Sequence, residues 1–181
     1  MESLEGNLLI ASPSIFDPNF RRTVVLLTAH NDEGAIGLIL NRPSETTVEE
    51  AVPQLVELSD KDEPIFVGGP VNPNGVSMLA EFEDAGEAGV EVFADIGFVA
   101  LDASLEGDAP QLRRRRVFAG VASWAGGQLE DELESEDWII EPARNDDVFT
   151  DDPEALWERV LERKGGSYAV VARMPFDPSL N

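Results

Sequence analysis

Thr23-Val24-Val25-Leu26-Leu27-Thr28-Ala29, then His30-Asn31-Asp32-Glu33-Gly34, then Ile36-Gly37-Leu38-Ile39-Leu40, is the stretch on which the fold turns. The first segment is β-branched and leucine-rich and reads as a buried strand. The second is a turn in which Gly34 can supply a positive φ, and the third is another strand, so the two pair as a hairpin. Upstream, Asn7 to Ala11 reads as a short buried strand, stopped by Ser12-Pro13 because proline lacks the N–H that a ladder needs. Asp17-Pro18 marks a turn.

Downstream, Asn41-Arg42-Pro43 closes the third strand, and Thr46 and Thr47 each have a glutamate three residues on, the capping-box spacing of a helix start. Ile65 to Val67 is a strand running into Gly68-Gly69-Pro70. Val76 to Phe82, Val90 to Leu101 and Val117 to Val121 are strand-like, Gly126 to Glu136 is helix-like, and Trp138 to Ile140 is a short strand. The last helix has Asp152 as N-cap and Pro153 at its first position, and Leu156, Trp157, Val160 and Leu161 form its apolar face. Arg163 and Lys164 suit its negative end, and Gly165 follows it. Tyr168 to Ala172 reads as a final strand. Strands dominate and helices punctuate them, so residues 1–181 are expected to form a single α+β domain around a mixed sheet.

Asp and Glu number 36 and Lys and Arg 13, for a net charge of −23. Such a field repels nucleic acid and anionic membranes and favours solubility. Cysteine is absent, which excludes disulfides, thiolate metal sites and cysteine nucleophiles. The N-terminus is acidic where a signal peptide would be basic, and no apolar run approaches the ~20 residues that span a bilayer. A cytoplasmic location without membrane contact is therefore expected.

Motif tests are mostly negative. Gly68 to Gly75 is glycine-rich but lacks the Lys and Ser/Thr of a phosphate loop, and its plain reading is a close chain crossing. Ser123 has no nucleophile-elbow context. His30, the only histidine, sits at a strand end before a turn, where it can act as a base or bond to its own turn. Glu130 to Asp137 reads as a solvated helix face. Arg113 to Arg116 would split between the two faces of a strand, with neighbouring acids as partners.

Leu8-Leu9-Ile10-Ala11, Asp17-Pro18-Asn19-Phe20-Arg21-Arg22-Thr23-Val24-Val25, His30, Gly34-Ala35-Ile36-Gly37, Asn41-Arg42-Pro43, Gly68-Gly69-Pro70-Val71 and Ala122-Ser123-Trp124-Ala125-Gly126-Gly127-Gln128-Leu129-Glu130 occur in this order. As a set they resemble the YqgE/AlgH family of bacterial cytoplasmic proteins, from about Gly6 to Trp157. The resemblance implies a branched, mixed, partly barrel-like sheet surrounded by helices. It implies no defined activity, although some members carry a transcriptional-regulator label. Matching positions are Asp17, Arg22, His30, Asn41, Arg42, Gly68, Gly69, Trp124, Gly127, Gln128 and Glu130.

The expected function is a non-enzymatic binding or regulatory role. The candidate surface comprises His30, Asn41, Arg42, Gly68, Gly69, Trp124, Gly127 and Gln128. Arg42 would hold an anionic group, Asn41 and Gln128 would give directional hydrogen bonds, and Trp124 would form an apolar wall. The alternatives are a hydrolase using His30 as base and a regulator that binds DNA. No catalytic residue, metal or cofactor is assigned. The expected partner is a protein or small molecule, with direct nucleic-acid binding disfavoured, and the expected state is a monomer or weak homodimer.

Overall fold

The hairpin forms as the sequence reads. In the computed structural model, which describes residues 2–107 and 109–176, β2 (Val24–Asn31) and β3 (Gly34–Ile39) pair antiparallel across the Asp32-Glu33 turn. β1 (Asn7–Ala11) flanks β2, and β10 (Trp138–Pro142) flanks β1. Beyond β3 come β9 (Leu112–Ala125), β6 (Val71–Phe82), β8 (Ile96–Phe98) and β7 (Val90–Phe93), giving the order β10-β1-β2-β3-β9-β6-β8-β7.

The branch is made by β4 (Pro43–Thr47) and β5 (Pro64–Val67), which lie off that path. β5 runs parallel to β9, with Phe66 opposite Phe118, and is the parallel element of a largely antiparallel sheet. It enters where β3 and β9 part: the Gly68 N–H donates to the Ala119 carbonyl and the Ile39 N–H to the Gly68 carbonyl, both at 2.8 Å. Glycine is required there. A Cβ on Gly68 would lie 2.3 Å from the Gly120 carbonyl oxygen, and one on Gly69 2.1 Å from the Val121 carbonyl carbon.

The sheet curls without closing into a barrel. Its ends, β10 and β7, do not pair, although a Cβ on Gly6 would lie 3.0 Å from the Phe93 Cβ. The free edge of β10 is blocked by two cations, with Lys164 Nζ donating to the Ile140 carbonyl and Arg163 Nη2 to the Pro142 carbonyl. Such capping protects an edge strand from pairing with another chain.

Both faces of the central strands are buried, which explains their unbroken apolar runs. On one face Leu8, Ile10, Leu26, Leu38, Phe66 and Phe118 pack with Leu156, Trp157, Val160 and Leu161 of α5 (Leu156–Lys164). On the other, Leu9, Val25, Leu27, Ile39, Trp124 and Trp138 pack with Leu129 of α3 (Gln128–Glu134). Around the second half of the sheet Ile65, Met78, Phe82 and Val117 pack with Val48 of α1 (Val48–Ala51), whose N-cap Thr47 makes both bonds of the capping box with Glu50.

Several elements differ from the sequence reading. Tyr168 to Ala172 is not a strand: α6 (Ser167–Val171) is helical. Gly165 and Gly166, at φ +78 and +58, turn the chain back. Helical spacing then lays Tyr168 and Val171 together on the first core cluster. The run from Val90 to Leu101 divides into β7 and β8, and Leu101 opens α2 (Leu101–Leu105). α5 starts at Leu156, while Asp152 still caps the preceding turn through the Ala155 N–H. β4 and α4 (Asn145–Val148) have no counterpart in the sequence reading. Among the described residues, no helix is long and apolar enough to cross a membrane.

Candidate functional site

The candidate residues fall into two groups. The first lies where α3 covers the sheet. His30, Ala35 and Trp124 are cross-strand neighbours in one row and so share a face. His30 is buried. Its Nδ1 accepts the Leu4 N–H at 2.9 Å, and its Nε2 lies 2.7 Å from Glu130 Oε1. Because Nδ1 accepts, the proton of the neutral ring sits on Nε2 and is donated to the carboxylate, a tautomer fixed by the network. That bond holds the Glu130 carboxyl below its ordinary range. Ser3 Oγ adds a bond to the His30 carbonyl, so this residue ties the N-terminal segment to β2 and α3.

Beside it, Trp124 Nε1 and Trp138 Nε1 donate to the same oxygen of Glu132, at 2.9 and 2.7 Å. Gln128 Nε2 donates to the other oxygen at 3.0 Å, and Gln128 Oε1 accepts the Ala125 N–H. The two indoles meet edge to face with centroids 5.9 Å apart, and Phe20 packs against both. Gly127 is the N-cap of α3 at φ +82, with open space where a Cβ would be. Trp124 is thus core, and Gln128 is spent on the turn it belongs to.

The second group lies at the opposite end of β3. Asn41 Oδ1 accepts the Val24 N–H and its Nδ2 donates to the Arg22 carbonyl, each at 2.9 Å, so Asn41 finishes the strand pairing rather than facing solvent. Arg42 donates to the Arg21 carbonyl and is half-buried, and burial draws its pKa below the ordinary arginine value. It borders a cleft of about 230 Å³ lined also by Pro18, Ile39, Pro43, Val67, Gly69 and Pro70. Among the described residues Arg21, Arg22 and Arg42 form no ion pair with any acid. Ala35 and Arg42 are seven positions apart along β3 and its continuation, roughly 23 Å of extended chain. Asn41, Arg42, Gly68 and Gly69 therefore come together, and His30, Trp124, Gly127 and Gln128 come together, but the two groups do not converge.

A family model described as AlgH-like matches residues 8–169. The chain belongs to the AlgH-like family. A UPF0301 protein of Mycobacteroides abscessus is 42% identical over 181 residues, covering 97% of this chain and 87% of its own length. A UPF0301 protein of Streptomyces coelicolor is 42% identical over 187 residues, covering 100% and 97%. The crystal structure of a Corynebacterium diphtheriae protein superposes with a TM-score of 0.85 at 29% identity, over 95% of this chain and 93% of that one. The solution structure of the AlgH protein from Pseudomonas aeruginosa gives 0.72 at 28% identity, over 97% and 98%. Membership brings the α+β fold and no specific activity.

In this AlgH-like chain the four-arginine run lies on β9 and is largely consumed internally. Arg113 pairs with Asp95 at 2.7 Å, and Arg114 with Glu81 and Asp146 at 2.6 and 2.8 Å. Arg116 stacks 4.3 Å from the Phe66 ring and donates to the Val148 and Thr150 carbonyls, and its burial lowers its pKa. Arg115 forms no ion pair among the described residues. No group of three or more His, Asp or Glu side chains among the described residues is placed to hold a metal ion. Sequence reasoning missed Arg21 and Glu132. The i, i+4 spacing of Gln128 and Glu132 was a signal for the second, but nothing local foretold that two tryptophans would share its oxygen.

Proposed function

We propose that this AlgH-like protein is a non-enzymatic binding or regulatory module whose ligand or protein partner engages the Arg42 cleft. The observation that carries the reading is a cation that, among the described residues, forms no ion pair in a chain of net charge −23. A guanidinium has five donors and Arg42 spends one bond, on the Arg21 carbonyl. Arg42 lines a cleft whose other lining residues are mostly apolar, and partial burial weakens solvent screening. This combination suits a carboxylate or acidic side chain carried on an apolar body.

The alternatives draw less support. For a hydrolase, the accepting nitrogen of His30 is already engaged by the Leu4 N–H and its other nitrogen by Glu130. For DNA binding, three of the four clustered arginines have internal partners, and the overall field repels phosphate. A cytoplasmic setting belongs to the proposal and is supported by a chain without cysteine, a composition that suits a reducing compartment.

Co-purification of wild type and Arg42→Glu tests it. The proposal expects a partner or ligand retained by wild type and lost by the variant, with unchanged circular dichroism. Identical retention by both would contradict it.

A further inference from the structure

A second cavity, of about 180 Å³, is lined by Ile15, Phe16, Arg21, Arg22, Met174 and Phe176 among others. Arg21 donates to the Phe176 carbonyl and Arg22 to the Met174 carbonyl. The Phe176 ring lies 3.9 Å from the Arg21 guanidinium and 5.4 Å from that of Arg22. Arg22 also stacks on Trp157 at 4.4 Å, and it holds φ +53, a conformation rare for a residue with a Cβ. Neither arginine forms a contact ion pair among the described residues, although Glu158 acts on Arg22 at longer range. Each has used one of five donors on a neutral carbonyl, a weaker acceptor than a carboxylate. Large side chains stand exposed at the rim: Phe16 at 62% and Phe176 at 58%.

We infer that this cavity is a binding site for a small monocarboxylate with an aromatic or branched apolar body. Arg21 and Arg22 grip the carboxylate, and Ile15, Phe16, Met174 and Phe176 enclose the body. The volume, that of roughly six waters, favours a small molecule over a protein segment. The inference stands apart from the Arg42 reading.

The test is calorimetric titration of the full chain with 3-phenylpropionate, using 3-phenylpropanol as the uncharged control. The expected result is saturable one-to-one binding of the acid, with the alcohol at least tenfold weaker. Arg21→Ala should weaken the acid at least tenfold, because Arg21 is outside the core and its loss leaves the fold intact. Arg115→Ala, on β9 and outside this cavity, should leave the affinity unchanged. No saturable binding, equal binding of acid and alcohol, binding indifferent to Arg21→Ala, or binding lost equally in Arg115→Ala would each overturn the inference. Failure of the Arg42 reading appears separately, as co-purification unaffected by Arg42→Glu.

Discussion

The α3 end and the arginine end of this AlgH-like chain use polar residues in opposite ways. At the α3 end every conspicuous polar atom has a partner: both nitrogens of His30, both indole N–H groups, the Gln128 amide and both oxygens of Glu132. At the arginine end Arg21, Arg22 and Arg42, among the described residues, make side-chain hydrogen bonds only to backbone carbonyls, beside two cavities. Buried donors and acceptors that satisfy one another stabilise a fold and leave nothing for a ligand. Charges with spare donors beside apolar walls are what a ligand needs. Substitutions at the α3 end should therefore cost stability, and substitutions at the arginine end should cost binding.

The largest expected effect tests the crossing that separates the two ends. Gly69→Ala should destabilise by about 3 kcal/mol or more, or fail to fold, because its Cβ would collide with Val121 backbone that cannot move aside. A well-folded variant in urea unfolding would show that the branch has slack. Next, Glu132→Ala strands two buried indole donors and the Gln128 amide. It should cost roughly 3 kcal/mol in the same assay. A cost below about 1 kcal/mol would break the view of this end as a structural latch.

Gly127→Ala should cost only about 1 kcal/mol, since the left-handed φ is strained but nothing is struck. The pH dependence is finer still. The Glu130 carboxyl is held below its ordinary value by the bond from His30, so its contribution is present above the unfolded pKa of about 4.3. That contribution is lost as pH falls below that value and through the lower folded pKa. Wild type should lose stability there relative to its neutral value more steeply than His30→Leu. Parallel curves would remove Glu130 from the latch.

The apolar runs made the central strands legible, because strands buried on both faces carry no polar interruption from Val24 to Leu27 or from Leu38 to Leu40. The capping box was readable to within Thr46 or Thr47, since its two bonds span only three residues, and the structure places it at Thr47. Tyr168 to Ala172 was not, because a β-branched and aromatic run is ambiguous until the Gly165-Gly166 reversal lays it on the core. Of the candidate site, the close approach at Gly68-Gly69 was foreseen as a crossing. The separation of Arg42 from Trp124 and Gln128 was not, because it depends on where β5 parts β3 from β9, a long-range fact. Arg21 gained its interest from residues more than 150 positions away in sequence, Met174 to Phe176, which no local pattern could announce.

The most direct measurement is native mass spectrometry of the gently purified wild type, Arg42→Glu and Glu132→Ala, each alongside its unfolding midpoint. The account predicts that wild type and Glu132→Ala carry a non-covalent ligand or partner, that Arg42→Glu lacks it, and that only Glu132→Ala unfolds markedly earlier. Equal retention by wild type and Arg42→Glu, or loss confined to Glu132→Ala in molecules that remain folded, would contradict the assignment of binding to the arginine end.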